Sequence, residues 1–560
     1  MTWRNHNLFL IGLPGAGKSA IGSALAELLA QHDFIDLDTE IENSAGQSIG
    51  EIFATQGESA FRELESAALL RVASVRGKQQ VVATGGGIVL SPLNRAIMRG
   101  SGIPVWIDVT VREATKNIRN DILHGHARPL FPETTDEGLR KTLTHLLEQR
   151  RPWYEQAVLH FVTRSMRGDE RTPEELAMEL LTALDQMSLK VALKPRHRTL
   201  VAKSALGAYP MFAGNGTAIR ELGHFASDRG YTQIIVVTDD NVEPLHGKEF
   251  RMGLRKAIGA SVSLQEITIP AGEAYKNLES LQYILTQFHE FKASRRASLV
   301  VAFGGGVVTD ITALAANLYH RGLPLVLVPI TLIAQADAAI GGKTGIDCFG
   351  EKNTIGTIYP PRLVLVDPLY LRTLPLREIH AGLAEVMKYA LIGNRPLWNK
   401  LAQQIERLVR GVDATYEAII FDSIKEKLRY VEADEFERAN GIRELLNFGH
   451  TFGHALEAAT HFKVLLHGEA VLLGMRAAAW LSKELGYLSL KDWTEMETVL
   501  KKIPISQALV TNTEYVLSAF RRDKKGMGRV ILLRSIGEAF VSEISEVDTR
   551  RAIDWMLTLA

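Results

Sequence analysis

The sequence predicts an α/β protein in which two unlike parallel-sheet parts are followed by a mostly helical part. Three observations lead to this class. A short apolar strand at residues 7–11 runs through a glycine-rich turn into a helix. Strands and helices alternate again between residues 199 and 370, and from residue 371 onward the apolar residues recur with helical spacing. No internal repeat relates the two parallel-sheet parts, so we expect separate domains.

Length and composition indicate globular domains without a strongly charged partner. The 560 residues suffice for three or four domains, and a hydrophobic content of 46% excludes extended disorder. Lys+Arg and Asp+Glu both count 64, which argues against nucleic acid or a membrane surface as the main partner. Apolar runs are shorter than the roughly 20 residues that span a bilayer, and the first residues do not resemble a signal peptide. With one cysteine, Cys348, we expect a cytoplasmic protein.

The stretch from Gly12 to Ser19 matches Gly-x-x-x-x-Gly-Lys-Ser between a strand and a helix, the setting that this phosphate-binding motif requires. Gly15 and Gly17 let backbone N–H groups surround phosphate oxygens. Lys18 can neutralise the β- and γ-phosphates, and the Ser19 hydroxyl can ligate Mg²⁺. The motif predicts a nucleoside triphosphate but does not identify the acceptor.

Further polar residues in the first third suggest an acceptor site. Asp36 and Asp38 end the second predicted strand, where one carboxylate can hold Mg²⁺ through water and the other can accept a hydrogen bond from a hydroxylated substrate. A solvated strand end is an equal alternative for this pair. The third strand ends in glycines at 85–87, which permit close backbone approach. Arg128 lies in a polar stretch that suits a mobile lid.

Residues 188–198 (SLKVALKPRHR) are basic, contain proline and lack periodicity, which predicts a linker. The predicted domains are therefore residues 1–187, 199–370 and 371–560.

A second glycine turn follows a buried strand in the middle domain. It consists of Gly304, Gly305 and Gly306, with Asp310 on the next helix. Such turns bind pyrophosphate, although this one departs from the dinucleotide pattern Gly-x-Gly-x-x-Gly. An earlier strand ends in Asp239, close to Asn241, where ribose hydroxyls could be bound.

The stretch LLNFGHTFGHALEAATHFKVLLHGEAV carries His450 and His454, four residues apart, and His467. A bare His-x-x-x-His pair is more often part of a helical core. Here Asn447, two glycines and a His-Gly-Glu lie within the same short stretch, which favours a metal site. The third ligand would be His467 or a distant carboxylate.

In their order and spacing, the motifs of residues 5–185 resemble shikimate kinase. The resemblance implies MgATP bound by Gly12, Gly15, Gly17, Lys18 and Ser19, with Asp36 serving the metal and Arg128 the lid. It implies that shikimate is held by Asp38, Arg62, Gly86, Gly87 and Arg150. Lys18 and Asp38 would act in catalysis.

From about residue 199 the chain resembles 3-dehydroquinate synthase through GGG with Asp310, QADAAIGGKTGID, GEKNTIG, GLAEVMKY, LLNFGHTFGHALE, HGEAV and RDKK, in that order. The resemblance implies Zn²⁺, or Co²⁺, on Glu385, His450 and His467, with His454 as a hydrogen-bonding or proton-transfer residue. It implies NAD⁺ bound by Asp239, Asn241, Glu273, Lys276, Gly304, Gly305, Gly306, Asp310, Thr331 and Lys352.

The same resemblance implies 3-deoxy-D-arabino-heptulosonate 7-phosphate as the second substrate. Its contacts would be Arg321, Asp337, Lys343, Asn353, Lys388, Lys427, Arg443, Asn447 and Lys525. Six residues would also act in catalysis: Lys343, Lys388, Lys427, Arg443, Asn447 and His454. Arg321 would be contributed across the interface of a homodimer formed by this half.

The predicted fold class is thus a P-loop NTPase-like kinase domain, a Rossmann-like NAD-binding α/β domain and a mostly helical metal- and substrate-binding domain. The predicted function is a bifunctional enzyme of aromatic amino-acid biosynthesis. Two alternatives stay open: the second half as a metal-dependent polyol dehydrogenase, or one half as a non-catalytic regulatory module. The stretch DEFERANGIR is about two residues longer than the family pattern before Arg443. A glutamate of that pattern could therefore correspond to either Glu435 or Glu437.

Overall fold

A computed structural model of the chain describes residues 3–73, 79–123, 131, 135–163, 171–188, 198–438, 441–461, 464–505, 511–522 and 529–559. The chain divides into two compact units, Met1–Thr199 and Leu200–Ala560. The predicted linker falls largely on residues 189–197, outside the described ranges. No described helix combines the length and the apolar composition that a bilayer crossing would require.

The described part of the first unit is a five-stranded parallel sheet with helices on both faces. In chain order its elements are β1 (Asn7–Ile11), α1 (Lys18–Leu28), β2 (His32–Asp36), α2 (Leu37–Ala45), α3 (Ile49–Ala73), β3 (Gln79–Ala83), α4 (Pro92–Ser101), β4 (Gly102–Asp108), α5 (Val111–Leu123), α6 (Asp136–Tyr154), β5 (Leu159–Val162) and α7 (Pro173–Ser188). The strand order is β2-β3-β1-β4-β5.

Alternating residues of β1 face two separate apolar clusters. Leu8 and Leu10 join one cluster, whereas Phe9 and Ile11 join the other. Successive side chains of a strand point to opposite faces, so a fully apolar strand requires cover on both sides. The central position of β1 places the glycine loop that follows it at the middle of the sheet edge.

The second unit begins with a seven-stranded sheet, as far as the structure describes it. In chain order its elements are β6 (Arg198–Ala202), β7 (Tyr209–Ala213), α8 (Ala218–Asp228), β8 (Gln233–Asp239), α9 (Lys248–Ile258), β9 (Ser263–Ile269), α10 (Leu278–Glu290), β10 (Ser298–Gly304), α11 (Gly306–Leu318), β11 (Leu325–Pro329), β12 (Lys343–Cys348), β13 (Glu351–Ile358) and β14 (Leu363–Val366). The strand order is β6-β7-β14-β11-β10-β8-β9, and β12 and β13 form a separate hairpin.

Helices dominate the remainder of this unit. They are α12 (Leu376–Gly393), α13 (Arg395–Leu408), α14 (Thr415–Ala433), α15 (His450–Ala459), α16 (His467–Glu484), α17 (Leu490–Leu500), α18 (Thr513–Arg522) and α19 (Glu546–Leu557). A second hairpin, β15 (Arg529–Ser535) with β16 (Glu538–Glu543), interrupts the helical pattern predicted for this region. One apolar core runs from the sheet into these helices.

Three features of the fold were predicted and are confirmed: the parallel sheets, their glycine turns and the mostly helical end of the chain. The hairpin β15–β16 was not predicted. The run Val530 to Leu533 is continuously buried, and an unbroken apolar run does not distinguish a strand from a buried helix.

Candidate functional sites

The phosphate-binding loop closes around its own lysine. Gly15 and Gly17 have φ values of 76° and 75°, in the left-handed region that favours glycine. A side chain at Gly15 would also collide with the carbonyl oxygen of Ala114, 2.6 Å from its Cβ. Nζ of Lys18 donates to the Gly12 and Leu13 carbonyls at 3.0 and 2.8 Å. Helix α1 begins at Lys18, so its unpaired N–H groups face the loop and favour an anion there.

The two residues predicted to serve Mg²⁺ contact each other. The Ser19 hydroxyl donates to Oδ2 of Asp36 at 2.5 Å. The other oxygen of Asp36 accepts from the backbone N–H of Asp38 at 3.1 Å and caps α2. A hydroxyl and a fixed carboxylate are hard oxygen ligands of the kind Mg²⁺ prefers, so the side chains present fit this ion.

Glycines 85–87 bring the predicted acceptor residues together beside the phosphate loop. A Cβ at Gly85 would lie 3.2 Å from Oδ1 of Asp38, and one at Gly87 would lie 2.5 Å from Nη2 of Arg62. A Cβ at Gly86 would lie 2.7 Å from Pro14, within the phosphate loop. Any larger residue in this turn would displace a neighbour. The glycines therefore permit close contact between the predicted acceptor residues, Asp38 and Arg62, and the phosphate-binding loop.

The two predicted carboxylate-binding arginines have different surroundings. Arg62 pairs with Glu65 at 3.0 Å and with Glu58 at 3.1 Å. Arg150 is buried, and its Nε and Nη1 have no hydrogen-bond partner among the described residues. Buried polar groups are normally paired, and a guanidinium with unused N–H donors fits a planar anion. Arg128, predicted in the lid, lies outside the described residues.

In the second unit the predicted dinucleotide residues gather at the carboxyl ends of β8 and β10. The chain passes from β8 outward to β9 and then returns to the other side of β8 as β10, so the strand order reverses between these neighbours. Open α/β sheets bind ligands at such a reversal. Asp239 ends β8, and Gly304 to Gly306 join β10 to α11.

Side chains around this turn are packed closely and paired. A Cβ at Gly305 would lie 3.1 Å from Cγ2 of Thr331. Nζ of Lys276 lies 2.6 Å from both Oδ2 of Asp310 and Oδ1 of Asn353. Burial alone would lower the pKa of Lys276, but the charges of Asp310 and Glu273 outweigh it and raise the pKa.

Two other predicted dinucleotide residues lie nearer the surface. Asn241 is exposed, and its backbone N–H donates to Asp239 at 3.0 Å. Nζ of Lys352 lies 3.8 Å from Glu273.

Three of the cations predicted to hold the second substrate, Lys388, Lys427 and Arg443, are buried and lie on different elements. Lys427, on α14, donates to Oδ1 of Asp337 at 2.6 Å, and Lys388, on α12, pairs with Glu385 at 2.5 Å. Burial would raise the pKa of Asp337, but the charges of Lys427 and Lys388 outweigh it and hold the pKa below its ordinary value. Arg443 is buried and donates to the Glu435 carbonyl.

The remaining predicted substrate residues are placed as follows. Lys343 is half exposed and pairs with Glu437 at 2.5 Å. The Asn447 side-chain amide donates to the Glu444 carbonyl at 3.0 Å. Arg321 is exposed in the turn after α11, with φ 60°. Lys525 lies outside the described residues, as does its neighbour Lys524.

Three histidines and a carboxylate converge between α12, α15 and α16. Ligand atoms of His450, His454 and His467 all lie within 4.8 Å of one another. Nε2 of His450 and Nε2 of His467 each lie 3.5 Å from Oε1 of Glu385. Tetrahedral ligands bonded to zinc at roughly 2.0–2.1 Å are separated by about 3.3–3.4 Å. These three side chains therefore fit a shared zinc ion, with His454 beside them.

The electrostatics of this group suit a metal. Oε1 of Glu385 is buried and accepts no hydrogen bond from a described residue, so it is an oxygen that a cation would satisfy. Burial lowers the pKa of His450 well below its ordinary value, and the charge of Lys388 adds to this effect. His450 is thus held in the neutral form that binds metals.

Glycines bring the three metal-site helices into contact. Gly449 precedes α15 with φ 81°, and a Cβ there would lie 2.5 Å from Cγ of Met475 on α16. A Cβ at Gly468 would lie 2.0 Å from the Ala381 carbonyl on α12. His450 and His467 are the first residues of α15 and α16, so this close packing fixes their positions.

Comparison with known proteins agrees with both halves. Residues 14–185 match the family model "Shikimate kinase", residues 266–381 match "3-dehydroquinate synthase N-terminal" and residues 382–526 match "3-dehydroquinate synthase C-terminal". The 3-dehydroquinate synthase of Dichelobacter nodosus is 40% identical over 321 residues, which cover 56% of this chain and 85% of the relative. The 3-dehydroquinate synthase of Neisseria meningitidis serogroup C is 37% identical over 358 residues, which cover 63% of this chain and 98% of the relative.

The chain belongs to the 3-dehydroquinate synthase family. It also carries a shikimate kinase domain, so one polypeptide unites two enzymes. Among solved structures, 2-epi-5-epi-valiolone synthase from Streptomyces hygroscopicus, with NAD⁺ and Zn²⁺ bound, is 29% identical with a TM-score of 0.56, covering 65% of this chain and 99% of that one.

In the shikimate kinase domain, sequence reasoning missed Glu65 and Tyr154. Glu65 is buried three residues after Arg62, and burial together with the charge of Asp38 raises its pKa to about 7, while Arg62 and Arg150 oppose this shift. The Tyr154 hydroxyl donates to the Gly86 carbonyl at 2.7 Å. Each lies one helical turn after an arginine already singled out, and that spacing could have revealed both.

In the 3-dehydroquinate synthase half, sequence reasoning missed Tyr389 and Glu457 and left Glu435 and Glu437 as alternatives for one glutamate. The Tyr389 hydroxyl donates to Asp337, and Tyr389 directly follows Lys388 in the sequence. Glu437 faces Lys343, whereas the carboxylate of Glu435 accepts from Ser204 and the N–H of Ala205. Glu457 lies three residues after His454 and contacts His467. Helical spacing could have revealed Glu457, but the loop around residue 437 has no such periodicity.

Proposed function

We propose that the two halves catalyse two reactions of aromatic amino-acid biosynthesis. The kinase half would transfer the γ-phosphate of MgATP to shikimate, giving shikimate 3-phosphate. The synthase half would convert 3-deoxy-D-arabino-heptulosonate 7-phosphate to 3-dehydroquinate and phosphate, with NAD⁺ and Zn²⁺, or Co²⁺, bound. A cytoplasmic location and a homodimer through the synthase half belong to the same proposal.

The kinase assignment is supported chiefly by the unpaired donors of Arg150. Shikimate is a carboxylate with vicinal hydroxyls, and a guanidinium binds a carboxylate with two parallel hydrogen bonds. Asp38, which lies 3.2 Å from where a Cβ at Gly85 would be, would accept from a ring hydroxyl. Gly86 contacts Pro14 in the phosphate loop, which supports an acceptor hydroxyl close to the transferred phosphate.

The synthase assignment is supported by the buried cations that surround the proposed metal site. Lys388, Lys427 and Arg443 are all buried within this half. Lys388 and Lys427 contact the carboxylates of Glu385 and Asp337, whereas Arg443 donates to a backbone carbonyl, and Glu385 is also a proposed metal ligand. Burying positive charge that its neighbours do not fully balance is costly, so a site that gathers several cations is expected to receive an anionic substrate. A phosphate ester with a carboxylate satisfies that expectation. A neutral polyol, the substrate class of the alternative dehydrogenase, does not.

We assign separate binding and catalytic roles to the residues of the synthase half. Glu385, His450 and His467 would hold the metal, and the dinucleotide would lie along Gly304 to Gly306. When bound, the metal would polarise a substrate hydroxyl and the dinucleotide would accept and return one hydride. Lys388, Lys427 and Arg443 would hold the anionic groups in place while phosphate leaves. His454, beside the metal ligands, would move a proton to or from the substrate.

The metal assignment can be tested by replacing each histidine. His450→Ala and His467→Ala should lose bound zinc, because each removes one of three ligands. His454→Ala should retain zinc and lose 3-dehydroquinate formation. The measurement is zinc content after dialysis, by mass spectrometry. A His454→Ala protein without zinc would show that the ligand assignment is wrong.

The experiment that tests the synthase reaction measures phosphate and NADH together on the complete chain. With heptulosonate phosphate and less NAD⁺ than substrate, we expect many turnovers, one phosphate per turnover and no steady rise in NADH absorbance. A polyol dehydrogenase would instead accumulate NADH in proportion to substrate without releasing phosphate.

A further inference from the structure

One carboxylate in the synthase half connects the metal site to the dinucleotide site. Glu457 lies on α15 with its side chain 2% exposed. Its Oε2 lies 3.2 Å from Nδ1 of His467, and its Oε1 lies 3.2 Å from Nζ of Lys352. Each oxygen of one buried carboxylate therefore contacts a residue of a different proposed site.

On the metal side, Glu457 orients an imidazole. A hydrogen bond from Nδ1–H of His467 to the carboxylate places the ring proton on Nδ1 and leaves the Nε2 lone pair free. Nε2 is the atom that lies 3.5 Å from Oε1 of Glu385. Carboxylate partners of this type fix the tautomer and direction of metal-binding histidines, and their loss commonly weakens metal binding about 10- to 100-fold.

On the dinucleotide side, Glu457 holds a lysine of the β12–β13 hairpin. Lys352 lies on β13, and its Nζ is 3.2 Å from Glu457 and 3.8 Å from Glu273. Glu273 belongs to the loop after β9, three residues before Lys276, which pairs with Asp310 beside the glycine turn. A continuous series of charged contacts thus runs from His467 to the residues proposed to hold NAD⁺.

We propose that Glu457 is a positioning residue that couples metal binding to dinucleotide binding through His467 and Lys352. The inference rests on the proposed function, since it takes zinc and NAD⁺ as the two ligands. A metal on His467 holds that ring and Glu457 in one place, and Glu457 then holds Lys352. NAD⁺ consequently binds with fewer side chains left to order, and the effect is reciprocal because coupling between two binding sites acts in both directions.

The test measures binding and not activity. The complete chain is stripped of metal, and the Kd of NAD⁺ is measured by calorimetry with and without one equivalent of zinc. The Kd of zinc is measured by competition with a chromophoric chelator. In the unsubstituted protein, zinc should lower the Kd of NAD⁺ about fivefold or more.

Two substitutions distinguish the contact of Glu457 with His467 from its contact with Lys352. E457Q keeps an oxygen that can accept from His467 but loses the charge that holds Lys352, so the effect of zinc on NAD⁺ affinity should disappear. Zinc affinity should also fall about tenfold. K352M leaves the contact between Glu457 and His467 intact, so it should abolish the coupling while keeping zinc affinity within about twofold of the starting protein.

E497Q is the matched control. Glu497 forms an ion pair with Arg476 on α16, the helix that His467 begins, and neither residue belongs to a proposed site. This variant should couple zinc and NAD⁺ as the unsubstituted protein does. Shikimate kinase activity of the same chain verifies the concentration of folded protein in every sample.

The outcomes separate the two proposals. If the unsubstituted protein binds zinc and NAD⁺ without coupling, or if E457Q couples them fully, the role of Glu457 is refuted while the proposed function stands. If the unsubstituted protein binds neither ligand, both proposals are refuted. Loss of coupling in E497Q as well would also refute the role of Glu457, since any lost ion pair would then suffice.

Discussion

Among single residues, Arg150 gives the most specific prediction for the kinase half, which concerns the KM for shikimate. Its buried Nε and Nη1 have no partner among the described residues, and we propose that the shikimate carboxylate supplies one. Arg150→Met should raise the KM for shikimate by an amount equivalent to roughly 2–5 kcal/mol, because it removes one member of a buried charge pair. The KM for ATP should change little. Steady-state kinetics with each substrate varied in turn measure both values.

The neighbouring arginine provides the control. Arg151 is more than half exposed, with its Nε 3.5 Å from Glu155, so Arg151→Met should leave both KM values nearly unchanged. If Arg150→Met weakened ATP and shikimate equally, Arg150 would belong to the nucleotide site.

Glu65 predicts a pH dependence of shikimate binding. Burial and the charge of Asp38 raise its pKa to about 7, against the opposing charges of Arg62 and Arg150. Below pH 7 the carboxyl is neutral and both arginines are available to an anion. Above pH 7 it carries a negative charge beside Arg62. The KM for shikimate should therefore rise as the pH passes upward through 7, as measured from pH 6 to pH 8.5.

Glu65→Gln should remove this inflection, because the amide does not titrate. The rest of the pH profile should be unchanged. An inflection of the same size in Glu65→Gln would mean that another group titrates.

At the level of secondary-structure elements, the metal site depends on close packing of α15 against α16. Gly449→Ala would strain the backbone at φ 81° and press a methyl group against Met475. The strain costs roughly 1–2 kcal/mol and the overpacking a further 1–3 kcal/mol. Because relief of the clash must separate the two helices, we expect lower zinc content together with a lower thermal midpoint.

Gly486→Ala is the matched substitution for Gly449→Ala. Gly486 has a similar φ of 77°, but a Cβ there would meet no atom within 4 Å. It should lower the thermal midpoint through backbone strain alone and leave zinc content unchanged. Equal zinc loss in both variants would contradict the packing argument.

These elements also show what sequence could and could not predict. Strand–turn–helix patterns predicted both glycine turns, since their chemistry is local. The convergence of Glu385 on His450 and His467 was expected only from family resemblance, because spacing does not reveal which distant helix supplies a carboxylate. The glycines of the histidine stretch were interpreted as marks of a site, and the structure adds that Gly449 permits the close contact between two helices.

The whole molecule consists of two units with separate apolar cores. In the described chain, the clusters of the first unit contain residues up to Leu184, and the cluster of the second unit begins at Ala202. Each core is large enough to stabilise a domain without the other. The two proposed reactions are also non-consecutive steps, so neither proposed product is the other half's proposed substrate. We therefore expect each half to keep its activity when the other is inactivated.

Lys18→Met tests this independence. The substitution removes the positive charge at the end of the phosphate loop without changing the length of the side chain greatly. Shikimate phosphorylation should fall about a hundredfold or more, because a buried donor that stabilises transition-state charge is lost. Formation of 3-dehydroquinate from heptulosonate phosphate should stay within about twofold, since Lys18 belongs to the first unit and the second unit has an apolar core of its own. His467→Ala should give the reverse pattern. Loss of both activities in either variant, with an unchanged circular dichroism spectrum, would show that the two halves depend on each other.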